Sequence, residues 1–347
     1  MGSPKLTKVS MFAQSAYLTS NTSTGGVAYQ TTNDGDESPI NAPVTADGMR
    51  SGRQGMLAEN AETVIKGYEL SFAKALRTHG EERWFRDAVS THEANPTVVS
   101  PATTPPTYDK VYKTDVVGPD GAYTFVVDRF GFQDGGVSQL YPAVYADCVS
   151  KGWSLEVSEG NPVNLTQDFV ARTLTDGAAS ATATTAAYAA ATVGQVRPYA
   201  WKDAVLKLGA ADSVPSTAVG FLRSFSYTQD NQLDVDRYYI QGNSLMSQPY
   251  SQDDITGTIS MEFDYADTIE TAIWNRWKAD THIAVQLELT RDPYQVILYI
   301  PNVMLGEPSR VASKAGATKL SVSGDAKWNG TDDMVKLTIR TEGATNA

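Results

Sequence analysis

The chain is poor in the residues that most enzymes and metalloproteins use for their chemistry. Its 347 residues include a single cysteine, Cys148, which excludes an internal disulfide framework and a cysteine-based zinc site. The three histidines, His79, His92 and His282, leave little room for metal binding or acid–base catalysis. Lys and Arg number 28 against 40 Asp and Glu, and this net charge of -12 argues against a protein that binds nucleic acid tightly.

Long apolar runs are equally scarce. The most apolar stretch, Val296–Ile300, falls far short of the ~20 residues that a membrane-spanning helix needs. The N-terminal segment Met1–Val9 lacks the continuous apolar core of a secretion signal. We therefore expect synthesis in the cytoplasm and no membrane partner, and a lone cysteine fits such a reducing compartment.

Sequence motifs for common enzymatic reactions are missing as well. The chain has no Walker-type phosphate loop, no dinucleotide glycine fingerprint, no HExxH helix and no GxSxG elbow. Ser71-Phe72-Ala73-Lys74 fits the SxxK pattern, but its serine falls in an alternating segment that is typical of a strand. We therefore expect no enzymatic activity, no catalytic residues, no cofactor and no bound metal.

Alternating patterns typical of strands make up most of what is present. Two segments have helical spacing instead, Glu81–Val89 and Asp267–Lys278. Strands are predicted around Tyr68–Phe72 and at Tyr123–Asp128, Trp153–Ser158, Val163–Arg172, Val219–Tyr227, Asp254–Tyr265, His282–Thr290, Tyr294–Ile300, Thr318–Ser323 and Met334–Arg340. The fold class is therefore predicted to be mainly β, with two similar antiparallel β-sandwich or barrel halves and a short flanking α-helix in each.

Composition divides the chain into four parts. They are an N-terminal arm or loop region at 1–60, a first β half at 61–175, an Ala/Thr-rich linker at 176–205 and a second β half at 206–347. Thr19–Gly26 and Thr31–Ser38 are polar without periodicity, which favours an extended arm. Gly177–Val193 is almost pure Ala and Thr, and the proline-rich Asn95–Pro106 predicts a loop.

The two halves resemble each other. Gly67–His92 aligns with Gly257–His282, and placing Gly67 on Gly257 gives six identities in 26 positions. The hydrophobic pattern instead places Leu70 on Ile259, one residue away. A slip of one residue turns every strand side chain to the opposite face, so we prefer the alignment that keeps the pattern. The alternative is that two β-rich segments with short helices align loosely without a duplication.

Four segments carry a resemblance to a known family. Val219–Tyr227, Ile255–Phe263 and Tyr299–Val303 in the second half, and Gly152–Gly160 in the first, follow in the order and spacing of a strand, a long hairpin and paired strands. This pattern resembles the major tail tube proteins of long non-contractile-tailed bacteriophages. The similarity extends over residues 60–172 and 219–341, and the family has no active site to compare.

The resemblance implies a structural protein of the virion tail, made in the host's bacterial cytoplasm. Subunits of this family join with their neighbours into a closed intersubunit β-barrel, and the rings stack by a loop or arm. Two β halves favour a trimeric, pseudo-hexameric ring, and a ring of six subunits is the alternative. Implied partners are other copies of the chain, tail terminator, tape-measure and baseplate proteins, and double-stranded DNA that passes without sticking. The alternatives are another ring-forming tail component (a terminator, collar or baseplate protein) or a carbohydrate-binding β-sandwich.

Strand alternation also selects candidate lumen residues. Polar side chains on the face opposite the predicted core include the carboxylates of Glu156, Asp168, Asp254, Glu262 and Asp264. An acidic wall repels DNA phosphates and offers them no strong adsorption site. The alternative for each of these residues is an ordinary solvated outer face.

Overall fold

The computed structural model describes residues 8–14, 18, 27–30, 36–45, 61–78, 81–89, 91–92, 97–100, 106–114, 121–132, 138–176, 187–188, 197–237, 239, 245–311, 318–330 and 333–342. The first strands are β1 (Lys8–Ala13), β2 (Val27–Gln30), β3 (Asp36–Thr45), β4 (Ala61–Ala75), β5 (Thr91–His92), β6 (Thr97–Ser100), β7 (Thr107–Lys113), β8 (Tyr123–Phe132), β9 (Ser138–Ser158), β10 (Asn164–Ala171), β11 (Thr173–Asp176) and β12 (Ala187–Tyr188). They are followed by β13 (Ala204–Ala210), β14 (Ala218–Val219), β15 (Leu222–Asp230), β16 (Thr256–Asp264), β17 (Ile283–Arg291), β18 (Tyr294–Leu305), β19 (Ser309–Val311), β20 (Lys319–Ala326) and β21 (Lys336–Glu342).

Two short helices and a 3₁₀ turn at Trp201–Asp203 accompany the strands in the described residues. Helix α1 spans Glu82–Ala88, with an acidic residue in its first turn and Arg86 in its last, as the helix dipole favours. Helix α2 runs as Asp267–Ile269, a π-helical turn at Glu270–Trp274 and Asn275–Lys278. The mainly β fold class with a helix in each half is therefore confirmed.

Eight strands lie side by side in one antiparallel sheet, which we call the long sheet. Their order is β3-β4-β10-β9-β15-β16-β20-β19, and the last residues of β18 continue the line of β19 along β20. Within the described ranges, the outer edges of β3 and β19 pair with no further strand. In this part of the chain the sheet is therefore open and does not close into a barrel.

Two further sheets cover one side of the long sheet and complete a β-sandwich. One has the order β12-β2-β1-β8-β9-β11, and the other has the order β14-β13-β17-β18-β21-β7, with β5 and β6 beside β7. The long strands β9 and β18 bend, so that each belongs to a cover sheet at its start and to the long sheet at its end.

Two hydrophobic cores fill the spaces under the cover sheets. The first contains Leu70, Phe72, Trp84, Phe125 and Phe169, and the second contains Trp153, Phe225, Tyr227, Met261, Leu287 and Leu298. Complete burial of one large apolar side chain contributes roughly 1.5–3 kcal/mol, so these clusters carry most of the stabilisation. The single cysteine, Cys148, is buried in the first core, and burial raises the pKa of its thiol.

The order of strand pairing repeats in the two halves. In the first half β1, β2, β3, β4, α1, β8, β9, β10 and β11 follow one another, and in the second half β13, β14, β15, β16, α2, β17, β18 with β19, β20 and β21 take the same places. Each half supplies four strands to the long sheet. The first half alone carries β5, β6 and β7 between its helix and β8, and β7 pairs with β21 of the second half.

Irregularities of the sheet repeat as well. The pairing shifts by one residue where Tyr123 faces Cys148 in the first half, and it shifts in the same way where Ile283 faces Val303 in the second. The buried side chains of β4 have even numbers, such as Leu70, and those of β16 have odd numbers, such as Ile259. The alignment that pairs Leu70 with Ile259 therefore keeps core faces in phase, and the one that pairs Gly67 with Gly257 does not.

Some segments differ from their prediction. The predicted arm at 1–60 contains strands β1, β2 and β3 in its described part, and the proline-rich Asn95–Pro106 contains the short strand β6. Most of Gly177–Val193 lies outside the described residues, as do Thr19–Gly26 and residues 31–35 of Thr31–Ser38. Strand β1 pairs with β2 and with the distant β8, whereas β3 and β6 each pair with the next strand along the chain. The polar and proline-containing composition of β3 and β6 did not indicate a strand.

Polar face and open edges of the long sheet

The side of the long sheet that faces away from both cores carries hydroxyls and carboxylates, and we call it the polar face. Residues that pair directly across neighbouring strands point to the same side, so they form rows. Two successive rows consist of Glu156, Ser226, Ser260 and Ser323, and of Ser154, Thr228, Thr258 and Asp325. Serine and threonine dominate these rows, so the surface of the face is smooth as well as polar.

The structure places four of the five predicted lumen residues on this face. They are Glu156 in β9, Asp168 in β10, and Glu262 and Asp264 in β16. Asp254 is exposed, but β16 begins only at Thr256, so the predicted strand start at Asp254 is wrong. The role of all five residues in a channel wall stays a prediction.

Cations beside the polar face are paired with carboxylates in the described part of the chain. The pairs are Lys151–Glu69 at 2.8 Å, Lys319–Glu262 at 2.7 Å, Arg223–Asp264 at 2.5 Å, Arg223–Glu159 at 3.0 Å and Lys327–Asp325 at 3.3 Å. The hydrogen bond to Asp264 raises the pKa of Arg223, which stays charged. No cation among the described residues forms a salt bridge with Glu156 or Asp168, so the face keeps an excess of negative charge.

Two further carboxylates on the face were not among the sequence candidates. Asp230 ends β15 opposite Thr256 and accepts a hydrogen bond from the backbone N–H of Gln232 at 2.8 Å. Asp325 lies in β20 opposite Thr258. The predicted strands ended at Tyr227 and Ser323, and carrying the alternation two or three residues further would have found both carboxylates.

The two open edges of the long sheet expose backbone groups that a further strand can use. An edge strand presents unpaired N–H and C=O groups, which makes it a template for another chain. Ser38 in β3 and Ser309 and Val311 in β19 are exposed. Each edge also carries a proline, Pro39 in β3 and Pro308 just before β19, and proline is tolerated in edge strands because it cannot donate to a ladder.

Strands β9 and β15 meet where the two halves join, and a buried chain of polar groups holds this internal seam. Gln229 accepts a hydrogen bond from the Tyr227 hydroxyl at 3.1 Å and donates to Asn231 at 2.9 Å. Asn231 in turn donates to the backbone oxygen of Ser150 in β9 at 3.1 Å. Burial raises the pKa of the Tyr227 hydroxyl. Because these buried groups satisfy one another, a change of register at the seam would leave polar atoms unpaired.

Other kinds of site have little support in the described residues. No group of three or more His, Cys, Asp or Glu side chains in these ranges could hold a metal ion, and no helix there is long and apolar enough to span a membrane. Trp201 and Trp328 are exposed, which a sugar-binding surface would need. The backbone N–H of Trp201 bonds to Asn161, whereas Trp328 follows β20 at the opposite end of the sheet, so the two rings form no common platform.

These features define a β-sandwich protein with an open-edged sheet and one polar sheet face. A family model described as phage tail tube protein matches residues 9–326, nearly the whole length. The chain belongs to the phage tail tube protein family. This is a family of structural proteins rather than enzymes, and it places the chain in the virion tail. No curated protein sequence matches the chain.

Proposed function

We propose that the chain self-assembles into rings that stack into the tail tube, and that the polar faces of the long sheets line an acidic conduit for DNA during ejection. The proposal rests on family membership and on one observation. In the described residues, an eight-stranded sheet is covered on one side, polar on the other and open at both edges.

Edge pairing between copies is the mechanism of ring formation. Among the described strands, none pairs with the outer edges of β3 and β19, and an open edge of this kind favours aggregation of isolated subunits. Closing a ring of copies into one continuous barrel pairs both edges of every subunit and abolishes them. The convex side of that barrel carries the cover sheets, and the concave side is the polar face.

The charge of the polar face suits the passage of DNA. Glu156 and Asp168 carry negative charge without a described cation partner, and the neighbouring cations are already paired with carboxylates. Phosphates that approach such a wall are repelled, and no cluster of Lys or Arg offers counterion release. Serine and threonine hydroxyls form only weak neutral contacts, so DNA slides without a preferred resting position.

The internal repeat favours a trimeric ring. Each subunit supplies two four-stranded units to the barrel, so three subunits provide six such units in a pseudo-hexameric ring. The subunits are made in the host cytoplasm, and the finished tube contacts terminator, tape-measure and baseplate proteins at its ends and in its bore.

Electron microscopy of the purified protein tests assembly. We expect rings or tubes with a central bore in negative stain, and three subunits in averaged top views. In an assembled ring β3 is already paired with a neighbouring copy, so an added strand-forming peptide should not bind to β3 around Asp36. A protein that stays monomeric at every concentration and on a tail-initiation template contradicts the proposal.

A charge reversal tests the conduit. Glu156→Lys with Asp168→Lys should leave tubes intact but slow DNA ejection from particles, and it should make assembled tubes retain short duplex DNA at low salt. Asp280→Lys with Asp292→Lys is the matched control, because it changes the net charge equally at exposed positions outside the polar face. Equal ejection kinetics for both variants would show that the polar face does not line the channel.

A further inference from the structure

The internal seam of the long sheet shows how the two halves of this fold join. Along it β9 runs antiparallel to β15, with Ser158 opposite Ser224, Glu156 opposite Ser226 and Ser154 opposite Thr228. The first half contributes its β9 edge and the second half contributes its β15 edge. The free edges of the subunit are the corresponding edges of the other halves, because β19 takes the place of β9 and β3 takes the place of β15.

The residue correspondence follows from the pairings within each half. Ser154 pairs with Thr166 of β10, and Ser309 pairs with Ser321 of β20, at equivalent positions of the two halves. Ser38 pairs with Glu69 of β4, and Thr228 pairs with Thr258 of β16. Glu69 and Thr258 directly precede the equivalent residues Leu70 and Ile259. Ser309 therefore corresponds to Ser154, and Ser38 corresponds to Thr228.

The extra residue of a bulge confirms this correspondence along the strand. Three residues separate Ser150 from Ser154 in β9, while two residues of β10 separate their partners Phe169 and Thr166. Three residues likewise separate Leu305 from Ser309, and two residues of β20 separate Gly324 from Ser321. Because the same bulge occurs at the same place in both halves, only one alignment of β9 with the β18–β19 edge fits.

We propose that the β19 edge of one copy pairs with β3 of a second copy in the register of the internal seam. Ser309 then lies opposite Ser38, Val311 lies opposite Asp36, and Glu307 lies opposite Ile40. The β9–β15 seam inside each subunit is thus the template for the joint between subunits. This inference rests on the proposed function and adds to it the register of the joint.

Hydrogen-bonded and non-hydrogen-bonded residue pairs alternate along the seam, and we expect the same alternation in the joint between copies. The backbone N–H of Asn231 donates to Lys151 at 2.8 Å and that of Glu159 donates to Arg223 at 3.0 Å, so odd-numbered pairs are hydrogen-bonded and pairs such as Ser154 and Thr228 are not. By correspondence, Ser309 and Ser38 form a pair without ladder bonds, in which side chains lie closest.

The same alternation explains why prolines are tolerated at these positions of the two edges. Pro308 and Pro39 fall opposite each other at a hydrogen-bonded pair, so each ring nitrogen points out of its own sheet and removes no bond within the subunit. The joint between copies consequently lacks the two ladder bonds that Trp153 and Gln229 make at the equivalent position of the internal seam. This difference makes the joint between copies weaker than the one inside the subunit.

Disulfide trapping in assembled tubes tests the register. We expect the double variant Ser309→Cys with Ser38→Cys to form intermolecular disulfides under mild oxidation, seen as a ladder on a non-reducing gel. Ser154→Cys with Thr228→Cys is the positive control, and it should form an intramolecular bond with the same geometry. Two slipped controls, Val311→Cys with Ser38→Cys and Glu307→Cys with Ser38→Cys, should not cross-link, because diagonal neighbours lie about 7–8 Å apart and exceed the reach of a disulfide.

Microscopy of the same samples separates the two proposals. Tubes that cross-link only in the Ser309/Ser38 variant establish the register. Tubes in which a slipped pair cross-links, or in which Ser309/Ser38 stays reduced while the positive control oxidises, overturn the register and leave tube formation intact. If no variant and no wild-type sample forms rings or tubes, the proposed function fails and the register falls with it.

Discussion

Trp84 and Phe85, neighbours in α1, belong to different hydrophobic cores. Trp84 packs against Phe72 at 6.2 Å and Phe169 at 6.0 Å between ring centroids, whereas Phe85 meets Trp153 edge-on at 5.7 Å. Successive residues of a helix point about 100° apart, so one short helix reaches into both cores. Helix α1 therefore couples the packing of the first core to that of the second.

Truncating either ring should destabilise the whole chain. We expect Phe85→Ala and Trp84→Ala each to lower the free energy of unfolding by ~3–5 kcal/mol, because a large cavity is left in a closed core. Urea unfolding followed by fluorescence and by circular dichroism measures the effect. Val214→Ala, at a site that is 68% exposed, is the control and should change stability by less than ~0.5 kcal/mol. A loss confined to one probe would show that the two cores unfold separately.

A buried ion pair fixes the start of the same helix. Lys74 forms a salt bridge with Glu81, and its ammonium group also lies 4.1 Å from the centroid of the Trp84 ring. Burial lowers the pKa of Lys74 to about 8, against the opposing attraction of Glu81, and burial raises the pKa of Glu81. Both groups are withdrawn from water, so each depends on the other for compensation.

Removing one partner should therefore cost more than removing both. We expect Lys74→Met to destabilise the fold by ~3–5 kcal/mol, because Glu81 is left as a buried unpaired charge, and Lys74→Met with Glu81→Leu to recover most of that loss. A double-mutant cycle from urea unfolding measures the coupling. Additive losses from Lys74→Met and Glu81→Leu would contradict a mutually dependent pair.

Gly152 allows the close approach of strands at the internal seam. A Cβ atom at this position would lie 2.4 Å from the backbone oxygen of Gln229, which cannot move without disturbing the ladder. We expect Gly152→Ala to destabilise the chain by ~1–3 kcal/mol through overpacking. Gly220→Ala is the matched control, since a Cβ there meets no atom within 4 Å. Equal stability of the two variants by thermal unfolding would mean that β9 and β15 move apart enough to accommodate the added methyl group.

The edge prolines should limit self-association. Replacing Pro39 or Pro308 by Thr adds a backbone donor at an open edge, so we expect Pro39→Thr and Pro308→Thr to assemble at a lower protein concentration than the wild type. Light scattering over a concentration series measures this onset. Ser247→Thr, in the loop before β16, serves as a control that adds no donor at either edge. An unchanged or higher onset for both proline variants would show that these nitrogens do not face the joint.

Strand positions in the second half could be predicted closely because alternation there is regular. The predicted Tyr294–Ile300 and Met334–Arg340 correspond to β18 and β21, with ends that differ by a few residues. Strands β7 and β13 could not be found in this way. Each takes its place by pairing with a strand far away in sequence, β21 for β7 and β17 for β13, and no local pattern encodes such a partner.

The sequence by itself determined the β class, the acidic balance, the buried stripes and the side on which Glu156 and Glu262 lie, because side-chain alternation is a local property of a strand. Only the tertiary structure decided that β3 and β19 are the edge strands of the long sheet within the described residues, that β9 meets β15 in a particular register, and that α1 contributes side chains to both cores. Those features depend on which strands become neighbours, and neighbours in a sheet are selected by the packing of the whole chain rather than by any one segment.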